Sequence, residues 1–221
     1  MLAVIKFINE FMIDHGSETF MEKWNDDQVQ KTLAFIVDDK KHNDSYTESI
    51  IRCQYKYHID YVQNRLKSSQ ELGIKFRLPS IPEDISENMI KFMIHKHGDT
   101  SSRWSDHNTG DLMSDIEGKQ ECKCFTSNGP LSFTPKSDWG AIYFLDARKW
   151  LDDRYVLYRT ALKRTSAEWN NITVSKTQTM GDQCKQGRRP RISWNALQPQ
   201  LAGFCDKIYE GNFDDIFTLI S

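Results

Sequence analysis

Three side chains in the middle of the chain have the types and spacing of a charged site. Glu121 and Lys123 are two residues apart in a stretch that is typical of a β-strand, so both side chains project from one face. If the segment from Gly110 to Phe125 closes as a hairpin with its turn at 115–118, Asp111 comes alongside Glu121. Two carboxylates and an ammonium group at one point favour a hard divalent cation such as Mg²⁺, which takes oxygen ligands.

The pattern of Asp111 followed by Glu121-Cys122-Lys123 resembles the PD-(D/E)XK nuclease signature, with Gly110 in place of the proline. The resemblance implies an α/β fold with a mixed central β-sheet flanked by helices, and Mg²⁺-dependent hydrolysis of phosphodiesters. It also implies a place in a group rich in type II restriction endonucleases. In such a site Asp111, Glu121 and Lys123 would be catalytic, and the metal ligands would be Asp111, Glu121 and the backbone carbonyl of Cys122.

Glu87 is a further candidate for the same site. The run Pro82-Glu-Asp-Ile-Ser-Glu87 indicates a helix start, with Asp84 as N-cap and Glu87 completing a capping box. In the nuclease family a helix before the core often contributes an additional acidic residue near the metal, and by position Glu87 is the candidate catalytic residue and metal ligand. The alternative is that Glu87 only caps the helix.

A surface ion pair is the simplest alternative explanation for a Glu-x-Lys pattern. The residues that follow argue against it. The apolar run 139–145 is typical of a central buried strand, which an exposed hairpin would not need as a neighbour.

Composition predicts a globular protein with one full core. The 221 residues are 38% hydrophobic and 27% charged, and no apolar run approaches the roughly 20 residues that span a bilayer. Residues 2–13 resemble an amphipathic helix rather than a signal peptide, and the five cysteines are scattered and odd in number. We therefore expect a cytoplasmic protein with no membrane partner.

The order of patterns divides the chain in two. Residues 1–78 are predicted to form a helical N-terminal subdomain that serves for dimerisation or covers the sheet, with His58 as a packing residue. Residues 79–221 are predicted to form the nuclease core, with a DNA-recognition loop near 176–193.

The predicted helices are 2–14, 18–24, 27–37, 46–69, a short one at 166–169 and a closing one at 194–209. The predicted strands are 139–145, 154–162 and 172–179. The glycines and proline of 180–192 exclude a regular helix there, and 213–220 form a tail that docks on the core.

The net charge of −2 hides a basic segment. Residues 148–191 contain eleven Lys and Arg against four acidic residues, a local charge of +7. Phosphate contacts supply most non-specific affinity for DNA, and Gln and Arg read base edges. The candidate DNA-binding residues are Arg103, Ser127, Asn128, Lys176, Gln178, Gln183, Lys185, Gln186, Arg188, Arg189 and Arg191. A solvated basic loop is the alternative.

The sequence as a whole predicts a Mg²⁺-dependent endonuclease that cuts double-stranded DNA at a short specific site. A palindromic site implies a homodimer, because protein symmetry mirrors DNA symmetry. The alternatives are a structure-specific repair or junction nuclease, a non-catalytic DNA-binding protein, and an interaction module without nucleic acid.

Overall fold

A computed structural model describes residues 47–105 and 111–218 of the chain. Tyr46–Ser221 form one compact unit. Within it two long helices precede the strands: α1 at Glu48–Leu72 and α2 at Glu83–Lys96. The predicted helices at 2–14, 18–24 and 27–37 lie outside the described residues.

Helix α1 confirms the predicted amphipathic stripe. Ile51, Tyr55 and Val62 are buried along one face, and the helix ends at Gly73, whose φ of 63° lies in the left-handed region that glycine adopts without strain. This face packs into the same core as the sheet. His58, as predicted, is a packing residue, since its ring stacks on Trp150 at 5.4 Å.

Helix α2 begins one residue earlier than the predicted N-cap at Asp84. The N-cap is Pro82, which makes no side-chain capping bond, and Asp84 lies inside the first turn. A proline has φ near −65° and no N–H group that needs a hydrogen-bond partner. It can therefore stand between an extended segment and the first turn of a helix. Glu87 therefore does not complete a capping box.

Six strands within residues 47–105 and 111–218 form a mixed sheet. They are β1 at Arg103–Trp104, β2 at Leu112–Ser114, β3 at Gly118–Phe125, β5 at Ala141–Lys149, β6 at Arg154–Thr160 and β10 at Cys205–Gly211. Their spatial order is β1, β2, β3, β5, β6, β10, and among these described strands only β3 and β5 are parallel neighbours. The predicted mixed sheet flanked by helices is confirmed.

Alternation along β5 separates two hydrophobic cores. Tyr143 and Leu145 face α1 and α2, whereas Ile142 and Phe144 face a second cluster around Trp169. Because both faces of β5 are buried, the predicted central strand at 139–145 is confirmed, with its bounds shifted to Ala141–Lys149.

Short elements from the second half of the chain cover that second face. They are β4 at Pro130–Ser132, α3 at Ala167–Asn170, β7 at Thr173–Ser175, β8 at Gln178–Thr179, α4 at Met180–Lys185, β9 at Arg191–Ser193 and α5 at Trp194–Leu197. Short 3-10 turns occupy Trp150–Asp152, Gln198–Leu201 and Asp214–Ile216. The predicted strand 172–179 is thus a hairpin of two short strands.

The prediction that 180–192 contains no regular helix is wrong for its first six residues. Thr179 and Asp182 form a reciprocal capping box at the start of α4. Gly181 is buried against Asn170, where an added Cβ would lie 3.1 Å from the Asn170 Cβ. The glycine therefore marks close packing rather than a break.

The predicted closing helix at 194–209 is also wrong beyond its first turns. Helix α5 ends at Leu197, Pro199 lies in a 3-10 turn, and Gly203 has a φ of 83°. The remaining residues form β10, which pairs with β6 at the edge of the sheet. Apolar residues at helical spacing were misleading here, since pairing with an open edge strand overrides local pattern. The tail docks as predicted, with Phe213 and Ile216 buried.

No helix within residues 47–105 and 111–218 is both long enough and apolar enough to cross a membrane.

Candidate active site

The predicted hairpin is formed by β2 and β3. Leu112 pairs with Gln120, and Ser114 pairs with Gly118, which has a φ of 70° at the end of the turn. The same antiparallel register, continued by one residue, sets Asp111 opposite Glu121. Gly110 lies outside the described residues.

The three charged side chains of the signature come together at this end of the hairpin. The Lys123 Nζ lies 2.5 Å from Glu121 Oε1 and donates to the backbone carbonyl of Cys122 at 3.1 Å. The Cys122 N–H donates to Asp111 Oδ2 at 2.6 Å. Glu121 is only 6% exposed. The two oxygens that were predicted to hold a metal, from Glu121 and Cys122, therefore converge on one cationic group, the lysine ammonium.

Glu87 lies on the second turn of α2, close enough to interact electrostatically with this cluster. Burial raises the pKa of Glu87 to about 8, with a further contribution from the negative charge of Asp111, while Lys123 acts in the opposite direction. Three carboxyl groups thus share one partly buried region.

The charges of this region influence one another strongly. Burial raises the pKa of Glu121, and the attraction of Lys123 only partly offsets that effect. For Lys123, burial acts to lower the pKa, but Glu121 and Asp111 outweigh it and leave the pKa above its ordinary value. The site therefore holds a permanent ammonium group among carboxyl groups that are costly to ionise together.

A second network fixes the turn of the hairpin against the sheet. The carboxylate of Glu117 accepts hydrogen bonds from Tyr143 at 2.6 Å and from Gln120 at 2.8 Å. The Arg159 Nε donates to the same carboxylate at 2.6 Å. Since Tyr143 and Arg159 belong to β5 and β6, these bonds hold the hairpin in a fixed position relative to the central strands.

The predicted DNA-binding residues fall into two groups. The exposed ones at the α4 end of the second face are Lys176, Lys185, Gln186, Arg188, Arg189 and Arg191. Gln178 accepts from Gln183 at 3.1 Å and from Arg188 at 3.4 Å, and Gln183 is buried behind it. Gln178 therefore joins Gln183, Gln186 and Arg188 in one hydrogen-bonded group, in which the buried Gln183 supports Gln178.

The remaining predicted DNA-binding residues lie elsewhere. Arg103 pairs with Asp115 at 2.9 Å on β1. Ser127 accepts from the backbone of Gly129 at 3.3 Å, and Asn128 contacts Arg148 at 2.8 Å. Trp104 donates to Asn88 at 3.1 Å and packs against the core, which identifies it as an edge residue of that core.

Sequence reasoning missed the cluster around Arg148, which was counted only as part of the basic segment. Asp146 and Arg148 are two residues apart on β5, and Asn195 approaches them from α5. The Asp-x-Arg spacing on a predicted strand could have indicated a shared face, but the approach of Asn195 could not be read from the sequence.

The donor chemistry of the site matches a hard cation better than a soft one. The side chains that could bind a cation here are carboxylates, whereas burial raises the pKa of the Cys122 thiol well above its usual value. No group of three His, Cys, Asp or Glu side chains within 47–105 and 111–218 has the arrangement of a finished metal site. The Lys123 ammonium holds two of the candidate oxygens instead.

Comparisons with known proteins identify the class of enzyme. A family model described as the Bsp6I restriction endonuclease matches residues 44–197, more than half of the chain. The type II restriction enzyme Bsp6I from Bacillus sp. (strain RFL6) is 35% identical over 135 residues, which cover 58% of this chain and 67% of that enzyme. No solved structure matches significantly.

The class is therefore that of the type II restriction enzymes, site-specific deoxyribonucleases, as the sequence predicted. Within that class, the chain belongs to the Bsp6I restriction endonuclease family.

Proposed function

We propose that this protein is a Mg²⁺-dependent endonuclease of the PD-(D/E)XK type that hydrolyses double-stranded DNA at a short specific sequence. The observation that carries the proposal is the convergence of Asp111, Glu121 and Lys123 at one end of β3, in a chain of the restriction endonuclease family. The homologous Bsp6I is described as a type II restriction enzyme, which supports DNA as the substrate.

The residues present are suited to hold a Mg²⁺ ion. Asp111, Glu121 and the carbonyl of Cys122 supply hard oxygen donors, and Glu87 adds a carboxyl group nearby. When bound, Mg²⁺ would polarise the phosphate and lower the pKa of a coordinated water. The carboxyl groups repel one another, and a cation between them would relieve that repulsion.

Lys123 has a separate role in this proposal. Its ammonium group stays charged because Glu121 and Asp111 outweigh the effect of burial on its pKa. Lys123 orients the attacking water and offsets charge that builds on the phosphoryl oxygens. Its present contact with Glu121 would exchange for these new partners when DNA and the cation bind.

A homodimer fits the expected symmetry of the substrate. A palindromic site presents two equivalent strands to be cut, so a twofold assembly places one catalytic cluster at each. Light scattering on the protein with and without a DNA duplex tests this part. A monomer in both states would exclude the dimer.

Plasmid cleavage tests the central proposal. We expect discrete fragments from a plasmid of known sequence in Mg²⁺, and none in EDTA or with Glu121→Ala. Glu71→Ala is the matched control, because Glu71 is an exposed acid on α1 away from the cluster. Full cleavage by Glu121→Ala would disprove the assignment.

Titration calorimetry with Mg²⁺ separates the metal from the reaction. Asp111→Ala should lose the binding heat that wild-type and Glu71→Ala protein retain. Cleavage of branched DNA alone would favour a structure-specific nuclease, and metal-independent binding without any cleavage would favour a non-catalytic DNA-binding protein.

A further inference from the structure

A cluster around Arg148 lies on the same face of the sheet as the catalytic candidates. Glu121, Lys123 and Phe125 alternate along one face of β3, and Phe125 is in register with Asp146 on the parallel strand β5. The Arg148 guanidinium lies over the Phe125 ring, 5.6 Å from its centroid. The cluster is thus a continuation of the active-site face toward the carboxyl end of both strands.

Asp146 fixes the guanidinium in place. Arg148 Nε donates to Asp146 Oδ1 at 2.9 Å, and Nη2 donates to Asp146 Oδ2 at 2.6 Å. This two-point contact leaves one amino group, Nη1, to reach other elements. It also offsets the charge of Arg148, so the pair is close to neutral.

The free end of Arg148 orients two asparagines from different elements. Nη1 donates to Asn128 Oδ1 at 2.8 Å and to Asn195 Oδ1 at 2.8 Å. Asn128 precedes β4 and Asn195 follows β9 in α5, and both lie at the same end of the β4–β9 pair, because Pro130 pairs with Ser193. Arg148, which Asp146 holds in place, therefore connects the loop after β3 with the helix after β9.

This arrangement determines which atoms the asparagines expose. A guanidinium only donates, so each amide must turn its oxygen toward Arg148 and its NH₂ group away. Both asparagines are exposed, and within the described residues neither Nδ2 has a protein partner. Two hydrogen-bond donors are thus held outward in a fixed orientation.

The surroundings favour an uncharged partner over a phosphate. Asn128, Asp146 and Arg148 line a cleft of about 1030 Å³ that also contains four further acidic side chains and two further basic ones. Phosphate binding is favoured by unpaired positive charge, which this cluster lacks because Asp146 neutralises Arg148. Base edges in the major groove present acceptors such as purine N7 that match neutral amide donors.

We propose that Asn128 and Asn195, held by Arg148 and Asp146, read acceptor atoms on the base edges of the recognition sequence. The inference rests on the proposed function and adds the residues that determine specificity. Phe125 is four residues beyond Glu121, about 13 Å along a strand, so the asparagines lie well away from Glu121, toward the carboxyl end of β3.

Aspartate substitutions give the sharpest test. Asn195→Asp and Asn128→Asp keep an oxygen for Arg148 but replace the outward donor with an acceptor. Cleavage rates are compared on the cognate site and on the set of sites with one base changed. The specificity ratio is the cleavage rate on the cognate site divided by the rate on the best-cut altered site. We expect this ratio to fall roughly 5- to 100-fold, the range for the loss of one base contact. Asn64→Asp, an exposed amide on α1, should leave the ratio unchanged.

Arg148→Lys tests the positioning role. A lysine ammonium cannot make two hydrogen bonds to Asp146 and also bind both asparagines. The ratio of cognate to altered-site cleavage should therefore fall, while cleavage still requires Mg²⁺. If cleavage fell equally on cognate and altered sites, and the affinity for DNA depended less steeply on salt, Arg148 would contact phosphates and the proposal would be overturned. So would an unchanged ratio in both aspartate variants.

Failure of the proposed function can be told apart from failure of this inference. If the wild-type protein cuts no DNA, sequence-specific binding is measured instead of cleavage. Each protein selects the duplexes that it binds, in Ca²⁺, from a library of random sequences. Selection of a sequence by wild type that Asn195→Asp no longer selects supports the inference without catalysis, and identical selection by both overturns it.

Discussion

Lys123 occupies the position between Glu121 and the Cys122 carbonyl that a cation would take. This contact lowers the electrostatic repulsion among three carboxyl groups that lie together in a partly buried region. The ammonium compensates part of the charge, and protonation of Glu87, whose pKa is raised to about 8 chiefly by burial, compensates more. At the scale of residues, the site is a set of groups whose protonation depends on one another.

Glu87 should affect metal use rather than folding. Glu87→Gln keeps the side-chain shape but removes a carboxyl group that can ionise beside a cation, and we expect cleavage to fall about 10- to 100-fold, as for groups that tune a metal site. The Mg²⁺ concentration for half-maximal cleavage should rise. Mg²⁺ titration of the cleavage rate measures both, with Glu83→Gln on the exposed first turn of α2 as control. Equal kinetics for wild type and Glu87→Gln would remove Glu87 from the site.

His58 should make stability depend on pH in mildly acidic solution. Burial lowers its pKa below the usual 6.5, and its Nε2 has no hydrogen-bond partner among the residues that the structure describes. Below pH 6.5 the unfolded chain takes up a proton that the folded protein resists, so stability present above that pH is lost as the pH falls toward the folded pKa. His58→Phe keeps a ring against Trp150 and should flatten this part of the profile. Urea unfolding at pH 5.0 to 7.5 checks it; identical slopes in both proteins would contradict the prediction.

The hairpin of β2 and β3 is the element that assembles the site, and its position depends on a close backbone approach. The Gly140 N–H donates to the Lys119 carbonyl at 2.7 Å, where β5 begins beside β3. Together with the bonds of Glu117 to Tyr143 and Arg159, this contact fixes the start of the parallel pair. The geometry of the candidate active site is therefore set several residues away from Asp111, Glu121 and Lys123.

Gly140→Ala should destabilise the protein strongly. An added Cβ would lie 1.8 Å from the Glu117 carbonyl oxygen, so the backbone of the turn must move. We expect a loss of about 3 kcal/mol in the free energy of unfolding, at the upper end for overpacking. Gly129→Ala is the control, because its nearest atom is the Ser127 Oγ at 3.4 Å. Chemical denaturation compares the two, and losses of equal size would refute the explanation.

The capping box of α4 should contribute measurably to stability. Thr179→Ala removes the hydroxyl that accepts from the Asp182 N–H at 3.2 Å and should cost about 1 kcal/mol. Thr177→Ala, in the exposed turn before it, should change little. Thermal melting of both variants tests this; a Thr179→Ala melting temperature equal to wild type would show that the cap is dispensable.

The molecule as a whole carries a net charge of −2 but concentrates positive charge in 148–191. The structure divides that segment: Arg148 and Arg159 are held in ion pairs by Asp146 and Glu117, whereas Arg188, Arg189 and Arg191 are exposed near α4. These exposed arginines are available for phosphate contacts, as are the exposed Lys176 and Lys185.

Arg189 should act on affinity rather than specificity. We expect Arg189→Ala to weaken binding to cognate and unrelated duplexes alike and to reduce the slope of log affinity against log salt by about one. Fluorescence anisotropy at several salt concentrations measures the slope. Arg77→Ala, exposed but outside the basic segment, serves as control. A change confined to the cognate duplex would assign Arg189 to base reading instead.

The sequence by itself determined the hairpin, the shared face of Glu121 and Lys123, and the buried strand β5, because each depends on a period of two or on turn residues within a few positions. It did not predict the features that depend on residues far apart in the sequence. Residues 205–211 became an edge strand because β6 offered an unpaired edge, and the helix at 180–185 needs a glycine at 181 because Asn170 packs against that position. The tertiary structure alone brought Asn128, Asn195 and Arg148 together, since contacts between residues 20 and 47 positions apart leave no local signal in the sequence.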